Sequence, residues 1–214
     1  MRVETPDIFA DLQQKLMNAA FRPGEKIKPA ELQDVYGCSA NTIREILLRL
    51  TNVGLVTFES QRGFRVASVS QEDLNDITRF RILLEQDGAV RSMRLGGVKW
   101  EANLNAAHHA LVHIQHRIFR ENEVQENLKL WSEAERFFHE TLISACDSKI
   151  LRATYAHVYL RFRQQILNIE RDFRDSYFET ITREHEQILE AALSRDEEAC
   201  RDAIYRHLRR NIRE

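Results

Sequence analysis

The chain has 214 residues, of which 43% are hydrophobic and 30% are charged, and its formal net charge is −2. This composition is typical of a globular protein and excludes a disordered chain, and the length suits two modest domains or one large one. The near-neutral charge gives no sign of nucleic-acid binding, so any DNA contact must depend on where the charges are placed.

The sequence gives no indication of export or membrane insertion. It has no apolar run of about 18 residues, and its N-terminus lacks the basic region, apolar run and cleavage site of a signal peptide. The three cysteines are far apart and form no CxxC pattern, which favours reduced thiols. We therefore expect a cytoplasmic protein that does not associate with a membrane.

Residues that interrupt helices are concentrated at the N-terminal end. All three prolines lie within the first thirty residues, and neither Gly nor Pro occurs after Gly97. A long stretch without such residues, rich in Leu, Ala, Glu and Arg, favours helices packed on helices. We predict two domains, a mixed one at 1–69 and a helical one at 70–214.

Three short helices are predicted in the first domain. Apolar residues recur at helical spacing over 8–20, Pro29 suits the first turn of a second helix, and Gly37 suits the left-handed residue that ends it. Ser39 can cap a third helix, which Gly54 ends. The third helix repeats apolar residues at i, i+4 and i+7, which predicts its buried face.

A β-hairpin is predicted after the third helix. Residues 56–58 and 64–66 alternate between apolar and polar, as strands do. The segment between them carries Arg62 and Gly63, which suit the tip of a hairpin.

Two helices joined by a tight turn and followed by a hairpin form the pattern of a winged helix-turn-helix. In that arrangement the second helix enters the DNA major groove, where Asn41 can pair with adenine and Arg44 with guanine. The alternative is a small helical domain whose hairpin has no such role. The predicted DNA-binding residues lie on the third helix and at the hairpin tip: Ser39, Asn41, Thr42, Arg44, Arg49, Arg62 and Gly63.

The second domain is predicted to be an all-α antiparallel bundle of about six helices. Their expected bounds are 71–94, 98–120, 127–145, 149–170, 173–193 and 196–213. Ser194, followed by Glu197 three residues later, matches a capping box for the last helix. The predicted fold class is thus mainly α, with a small β-hairpin wing in the first domain.

Four side chains of the second domain are candidate metal ligands. Glu135 and His139 are four residues apart, so they project from one helix face. His185 lies eleven residues before Asp196 and His207 lies eleven after it, so an αα-hairpin turning there would place them side by side. One carboxylate and three imidazoles suit Zn²⁺, Ni²⁺ or Mn²⁺ and leave coordination positions open. The alternative is buried histidines that are satisfied by hydrogen bonds.

A second histidine cluster competes with this set. His109, His113 and His116 fall at i, i+4 and i+7 on one predicted helix, beside His108. No acidic residue is placed among them, so we interpret them as an exposed face.

The first domain resembles the N-terminal domain of the GntR family of bacterial regulators, over the run from Pro23 to Val66. The run departs from the family pattern at Ala40, where an arginine that commonly contacts DNA is expected. The matching residues are Pro23, Gly24, Ser39, Arg44, Glu45, Arg49, Leu50, Gly54, Leu55, Val56, Arg62, Gly63 and Val66.

The rest of the chain resembles the FCD sensor domain of the FadR subgroup of that family. The match lies in Arg81-x-x-x-Glu85, in Glu135-Arg-Phe-Phe-His139, in the stretch 184–191 and in His207-Leu208. The resemblance implies a metal site at the same four ligands, although the subgroup has Asp where this chain has Glu135.

Arginines near the metal site are candidates for effector binding, because a guanidinium matches a carboxylate bidentately. The candidates are Arg81, Arg161 and Arg163. Solvent exposure or helix–helix salt bridges explain them equally well, and Arg81 has Glu85 as a partner four residues away.

The leading hypothesis is a homodimeric, non-enzymatic transcriptional regulator. It would bind a near-palindromic double-stranded DNA operator under the control of a small organic-acid effector at the metal. One alternative is an architectural DNA-binding protein without an effector. The other is a metal-dependent hydrolase with a DNA-binding appendage, which no general base or nucleophile motif favours.

Overall fold

The computed structural model of the chain describes residues 5–121, 124–169 and 175–213. Within them lie nine α-helices and three short β-strands, so the mainly α class is confirmed. In that part of the chain, no helix is both long enough and apolar enough to cross a membrane. In chain order the elements are α1 (Thr5–Met17), β1 (Lys26–Ile27), α2 (Pro29–Tyr36), α3 (Ala40–Val53), β2 (Val56–Glu59), β3 (Gly63–Val66), α4 (Gln71–Leu95), α5 (Val98–Glu121), α6 (Val124–Leu142), α7 (Lys149–Ile169), α8 (Asp175–Leu193) and α9 (Glu197–Arg209).

Two compact units make up the chain. The first runs through Leu74 and includes the later stretch Leu160–Arg171, and the second consists of Asn75–Tyr159 and Asp172–Glu214. Helix α7 therefore contributes residues to both units, which its uninterrupted helical sequence did not indicate. The domain boundary between residues 69 and 70 stays a prediction.

The helix ends of the first unit follow the predicted signals. Pro29 lies in the first turn of α2, and Gly37 ends that helix with φ +65°. Ser39 caps α3 by accepting a hydrogen bond from the backbone N–H of Thr42 at 3.1 Å. Gly54 ends α3 with φ +82°, a backbone conformation that side chains with a Cβ adopt at a cost.

The predicted hairpin is present and belongs to a three-stranded antiparallel sheet of order β1-β3-β2. In β2 and β3, Val56 pairs with Val66 and Phe58 with Phe64. The unpredicted strand β1 places Ile27 opposite Phe64. A strand of two residues has no alternation of its own, so it forms only because β3 offers it an edge.

The second unit is a helical bundle with a large apolar core and a smaller separate cluster around Tyr155. Trp100 and Leu104 of α5, Phe138 of α6, Ile188 of α8 and Ile204 of α9 are all buried in the large core. Helix α6 begins and ends about three residues before its predicted bounds, because no Gly or Pro marks either end.

The turn between α8 and α9 differs from the predicted capping box. Asp196, not Ser194, caps α9, and its carboxylate accepts from the backbone N–H of Ala199 at 3.0 Å. The hydroxyl of Ser194 instead donates to the carbonyl of Glu190 at 2.8 Å. The reason is that Ser194 directly follows α8 and its backbone N–H still donates to the carbonyl of Glu190 at 2.9 Å, while Arg195 takes the left-handed conformation at which the chain turns.

Candidate metal centre and DNA-contact surface

The structure brings together the four side chains that the sequence singled out as metal ligands. Glu135, His139, His185 and His207, here called the ligand cluster, are all buried, and one ligand atom from each lies within 4.8 Å of the others. Nε2 of His139 lies 3.1 Å from Nε2 of His185 and 3.4 Å from Oε1 of Glu135. The cluster lies wholly within the second unit.

Two helix arrangements produce this convergence. Glu135 and His139 are one helical turn apart on α6, so their side chains share a face. His185 and His207 come from α8 and α9, which turn back on each other, and their ring centroids lie 4.5 Å apart. The helices supply the positions, and burial in the bundle restricts the rotamers.

Two further carboxylates orient the imidazoles from outside the cluster. Oε2 of Glu85 on α4 lies 2.6 Å from Nδ1 of His139, and Oε2 of Glu184 on α8 lies 2.8 Å from Nδ1 of His207. A histidine whose Nδ1–H is donated to a carboxylate presents the Nε2 lone pair, and metal-binding histidines are commonly held in this way. These orienting roles were not predicted, because the residues bonded lie 54 and 23 positions apart in the chain.

Arg81 and Tyr159 also donate hydrogen bonds to Glu135. The Nε–H of Arg81 donates to Oε1 of Glu85 at 2.6 Å, and its Nη2 donates to Oε1 of Glu135 at 3.3 Å. The hydroxyl of Tyr159 donates to the other carboxylate oxygen of Glu135. Arg81 is completely buried, so its positive charge offsets carboxylates that have also lost solvent.

The protonation states favour ligands with free lone pairs. Burial lowers the pKa of His207 to about 3, with a further contribution from His139. Burial and the neighbouring His207 lower the pKa of His185 well below its ordinary value. Burial alone would raise the pKa of Glu85, but Arg81 and His139 outweigh it and leave that pKa below its usual range.

The donor set fits a divalent metal ion. Three imidazole nitrogens and one carboxylate oxygen match the ligand preferences of Zn²⁺, Ni²⁺ and Mn²⁺. With Nδ1–H of His139 and His207 donated outward, their Nε2 lone pairs both face the cluster, where a cation would satisfy them. Nδ1 of His185 is buried and has no hydrogen-bond partner among the described residues.

The three predicted effector arginines lie in different places. Arg81 contacts the ligand cluster through Glu135. Arg161 is exposed, and its side chain lies so close to Gly54 that a Cβ there would be 2.8 Å from its Cδ. Arg163 is buried in the same stretch of α7, which belongs to the first unit. For Arg161 and Arg163 the effector role stays a prediction.

The other histidine cluster lies on α5. His109, His113 and His116 are exposed there, and the rings of His109 and His113 are stacked with centroids 6.5 Å apart. Among the described residues, only the ligand cluster groups three or more potential metal ligands.

The predicted DNA-binding residues lie on α3 and the wing. Asn41, Arg44 and Arg49 are exposed on α3, while Ser39 and Thr42 share a hydrogen bond of 2.9 Å between their hydroxyls at its N-terminus. At the hairpin, Arg62 pairs with Glu59 at 3.0 Å and Gly63 begins β3 with φ +77°.

Aromatic rings hold two of these arginines, which the sequence did not predict. The guanidinium carbon of Arg49 lies 4.2 Å from the ring centroid of Phe9 on α1. That of Arg44 lies 5.5 Å from the ring of Phe58 on β2. Arg44 also lines a cleft of 300 Å³ between β1, α3 and the wing, together with Lys26 and other residues of those elements.

Two protein-family models match the chain. The model described as bacterial regulatory proteins, gntR family, matches residues 5–66, and the FCD domain model matches residues 76–210. Together these matches leave only the termini and a short joining segment outside.

Curated relatives and a solved structure resemble nearly the whole chain. The HTH-type transcriptional regulator BphR of Paraburkholderia xenovorans (strain LB400), described as uncharacterized, is 30% identical over 95% of this chain and 82% of that protein. The HTH-type transcriptional repressor GlaR of Escherichia coli (strain K12) is 27% identical over 97% of this chain and 94% of that protein. The structure of E. coli McbR/YncC superposes with a TM-score of 0.81 at 22% identity, over 99% of this chain and 96% of that one, which shows the shared fold.

Proposed function

Because the chain belongs to the GntR family of bacterial regulatory proteins and carries an FCD domain, it is a transcriptional regulator and not an enzyme, and we propose that a small organic-acid effector, bound at a metal-containing pocket, controls its binding to operator DNA. Operator DNA lies in the cytoplasm, where the protein would act. The effector would shift the population of DNA-competent molecules, a coupling of about 1–3 kcal/mol in typical cases.

The observation that carries the proposal is the buried ligand cluster with its orienting carboxylates. Glu135, His139, His185 and His207 offer one ligand atom each within 4.8 Å, and Glu85 and Glu184 fix two of the imidazoles. Burying such a group of carboxylates and imidazoles costs free energy unless a cation compensates it. This supports Zn²⁺, Ni²⁺ or Mn²⁺ as the bound ion. When bound, the ion would supply open coordination positions for a carboxylate oxygen.

In this proposal the chain's own residues hold and orient the ligands. Arg81 and Tyr159 donate to the two oxygens of Glu135, so they fix the carboxylate that has replaced the shorter Asp of the family pattern. Arg81 is also the candidate effector arginine that lies beside the cluster. Arg161 and Arg163 remain candidates for effector binding only because a guanidinium group can bind a carboxylate through two hydrogen bonds.

For the operator we propose major-groove contact through α3. Asn41, Arg44 and Arg49 are exposed on it, and in this proposal the wing residues Arg62 and Gly63 approach the DNA backbone or minor groove. Ser39 and Thr42 lie at the helix N-terminus, where phosphates are favourably bound.

For the homodimer we propose a face of α4 and α9 in the second unit. Leu83, Phe80 and Tyr205 are 63%, 46% and 44% exposed, and Leu83 and Tyr205 line a groove of 580 Å³ together with Arg79. A second copy is the occupant that fits the charges. If two α4 helices cross antiparallel at Leu83, Arg79 of each copy meets Asp87 of the other, because both lie four residues from the crossing point.

Metal content and a ligand screen test this function. We expect the full chain, purified without chelator, to hold a stoichiometric metal ion that His139→Ala and His185→Ala remove, while the exposed His109→Ala keeps it. Unchanged metal content in the first two variants would refute the site.

A thermal-shift screen of small organic acids on the metal-loaded protein then separates the alternatives. A true effector raises the melting temperature and changes operator affinity. An architectural DNA-binding protein would bind operator with no acid affecting it, and a hydrolase would turn an acid over.

A further inference from the structure

The wing carries an exposed aromatic side chain next to the proposed recognition helix. Phe58 on β2 is 44% exposed, whereas its register partner Phe64 on β3 is buried. The two ring centroids lie 4.8 Å apart. The partly exposed ring of Phe58 therefore packs on the buried ring of Phe64 and forms an aromatic surface beside α3.

Arg44 lies over this aromatic surface. Its guanidinium carbon is 5.5 Å from the centroid of Phe58 and 6.0 Å from that of Phe64. Both separations are within the roughly 6 Å over which a ring attracts a cation. Arg62 at the tip of the wing is instead paired with the carboxylate of Glu59, which a DNA phosphate would have to displace.

We propose that Phe58 is a positioning residue for Arg44, and that the ring thereby contributes to base-specific recognition by the winged helix. A free arginine side chain loses rotamer freedom when it forms a bidentate contact, and a guanidinium already held on a ring loses less. The ring satisfies the cation without occupying its N–H donors, so these remain available for the O6 and N7 acceptors of guanine.

This inference rests on the proposed DNA-binding function and adds a specificity-determining role for a wing residue. It also bears on Ala40, where the family pattern has an arginine. With that cation absent, Arg44 is the first arginine of α3, and its orientation carries correspondingly more of the base recognition.

The test uses the full chain and an operator selected with it from random duplex DNA. Phe58→Leu keeps most of the apolar volume and removes the ring, so we expect operator affinity to fall about three- to tenfold. Phe58→Tyr keeps the ring, and its affinity should stay within about twofold. A second operator carries another base in place of the contacted guanine. The ratio of the affinities for the two operators should be smaller for Phe58→Leu than for the wild type, which a merely structural role would not cause.

A double-mutant cycle separates positioning from direct contact with DNA. If Phe58 acts through Arg44, Phe58→Leu costs nothing further in an Arg44→Ala background. An equal loss in both backgrounds, or wild-type affinity and specificity for Phe58→Leu, would overturn the positioning role. If Arg44→Ala itself bound the operator as tightly as the wild type, the recognition role of α3 would be wrong as well, and the two failures are therefore distinct.

Discussion

Nδ1 of His139 lies 2.6 Å from Oε2 of Glu85, and neither side chain is exposed. The carboxylate comes from α4 and the imidazole from α6, so this bond fixes the ring orientation that presents Nε2 to the ligand cluster. Orienting carboxylates of this kind typically raise metal affinity by about 10- to 100-fold.

We therefore expect Glu85→Gln to weaken metal binding by about 10- to 100-fold, because an amide is a poorer acceptor and can present its NH₂ group to the ring. Competition against a chromogenic chelator measures the affinity. Glu198→Gln, at an exposed position on α9, is the matched control and should bind metal like the wild type. Equal affinities in the two variants would contradict the orienting role.

The unfolding free energy of the metal-free protein should depend on pH. In the folded chain the pKa of His207 is about 3 and that of His185 is also lowered, whereas unfolded histidines titrate near 6.5. Between these values the unfolded chain binds more protons, so stability falls as the pH falls from about 7 toward 4. The slope is bounded by about 1.4 kcal/mol per pH unit for each group.

Urea unfolding in chelator at several pH values measures this dependence. His207→Asn should show a shallower fall with acidification than the wild type, while the exposed His109→Asn should match the wild type. Identical pH profiles for all three proteins would show that the buried imidazoles do not titrate as described.

The operator prediction concerns Arg44. Arg44→Ala should weaken operator binding by about 1–3 kcal/mol and lose the preference for the contacted guanine, because that is what a bidentate arginine–guanine contact contributes to discrimination. Electrophoretic mobility shift at fixed salt, with operator and scrambled DNA, measures it. Arg206→Ala removes an exposed charge from the second unit and controls for net charge. If Arg44→Ala kept the wild-type affinity and specificity, the assignment of α3 as the recognition helix would be wrong.

The dimer prediction can be tested by exchanging charges. Arg79→Glu and Asp87→Arg should each weaken self-association by about tenfold or more, because each places like charges face to face. The double variant restores opposite charges at both 79–87 contacts of the crossing and should recover the affinity. Sedimentation equilibrium measures the dimer constant, with Arg152→Glu, exposed on α7, as the control. A double variant no better than the singles would exclude this face.

Gly54 should be the costliest glycine to replace in the first unit. Its φ is +82°, and a Cβ there would lie 2.8 Å from Cδ of Arg161, so Gly54→Ala should lower the free energy of unfolding by about 1 kcal/mol or more. Gly97→Ala is the control, because a Cβ at that position meets nothing within 4 Å. Urea denaturation compares them, and equal stabilities would mean that Arg161 and the turn adjust freely.

The sequence by itself determined the helices, the hairpin and the grouping of the candidate metal ligands. The caps at Ser39, Gly37 and Gly54 and the alternation around the hairpin are local signals, and they placed α3 and the wing correctly. Spacing within one helix and around one turn was enough to group Glu135 with His139 and His185 with His207. Where local signals were missing, as at the ends of α6, the predicted bounds shifted.

Tertiary structure alone decided which side chains support those residues. Glu85, Tyr159 and Phe58 act across elements that are far apart in the chain, and no periodicity connects them to their partners. The same holds for β1, which exists only as the neighbour of β3, and for the last part of α7, which belongs to the first unit. Orientation of His139 by Glu85 and of Arg44 by Phe58 depends on how helices and strands pack, and packing is a property of the whole fold.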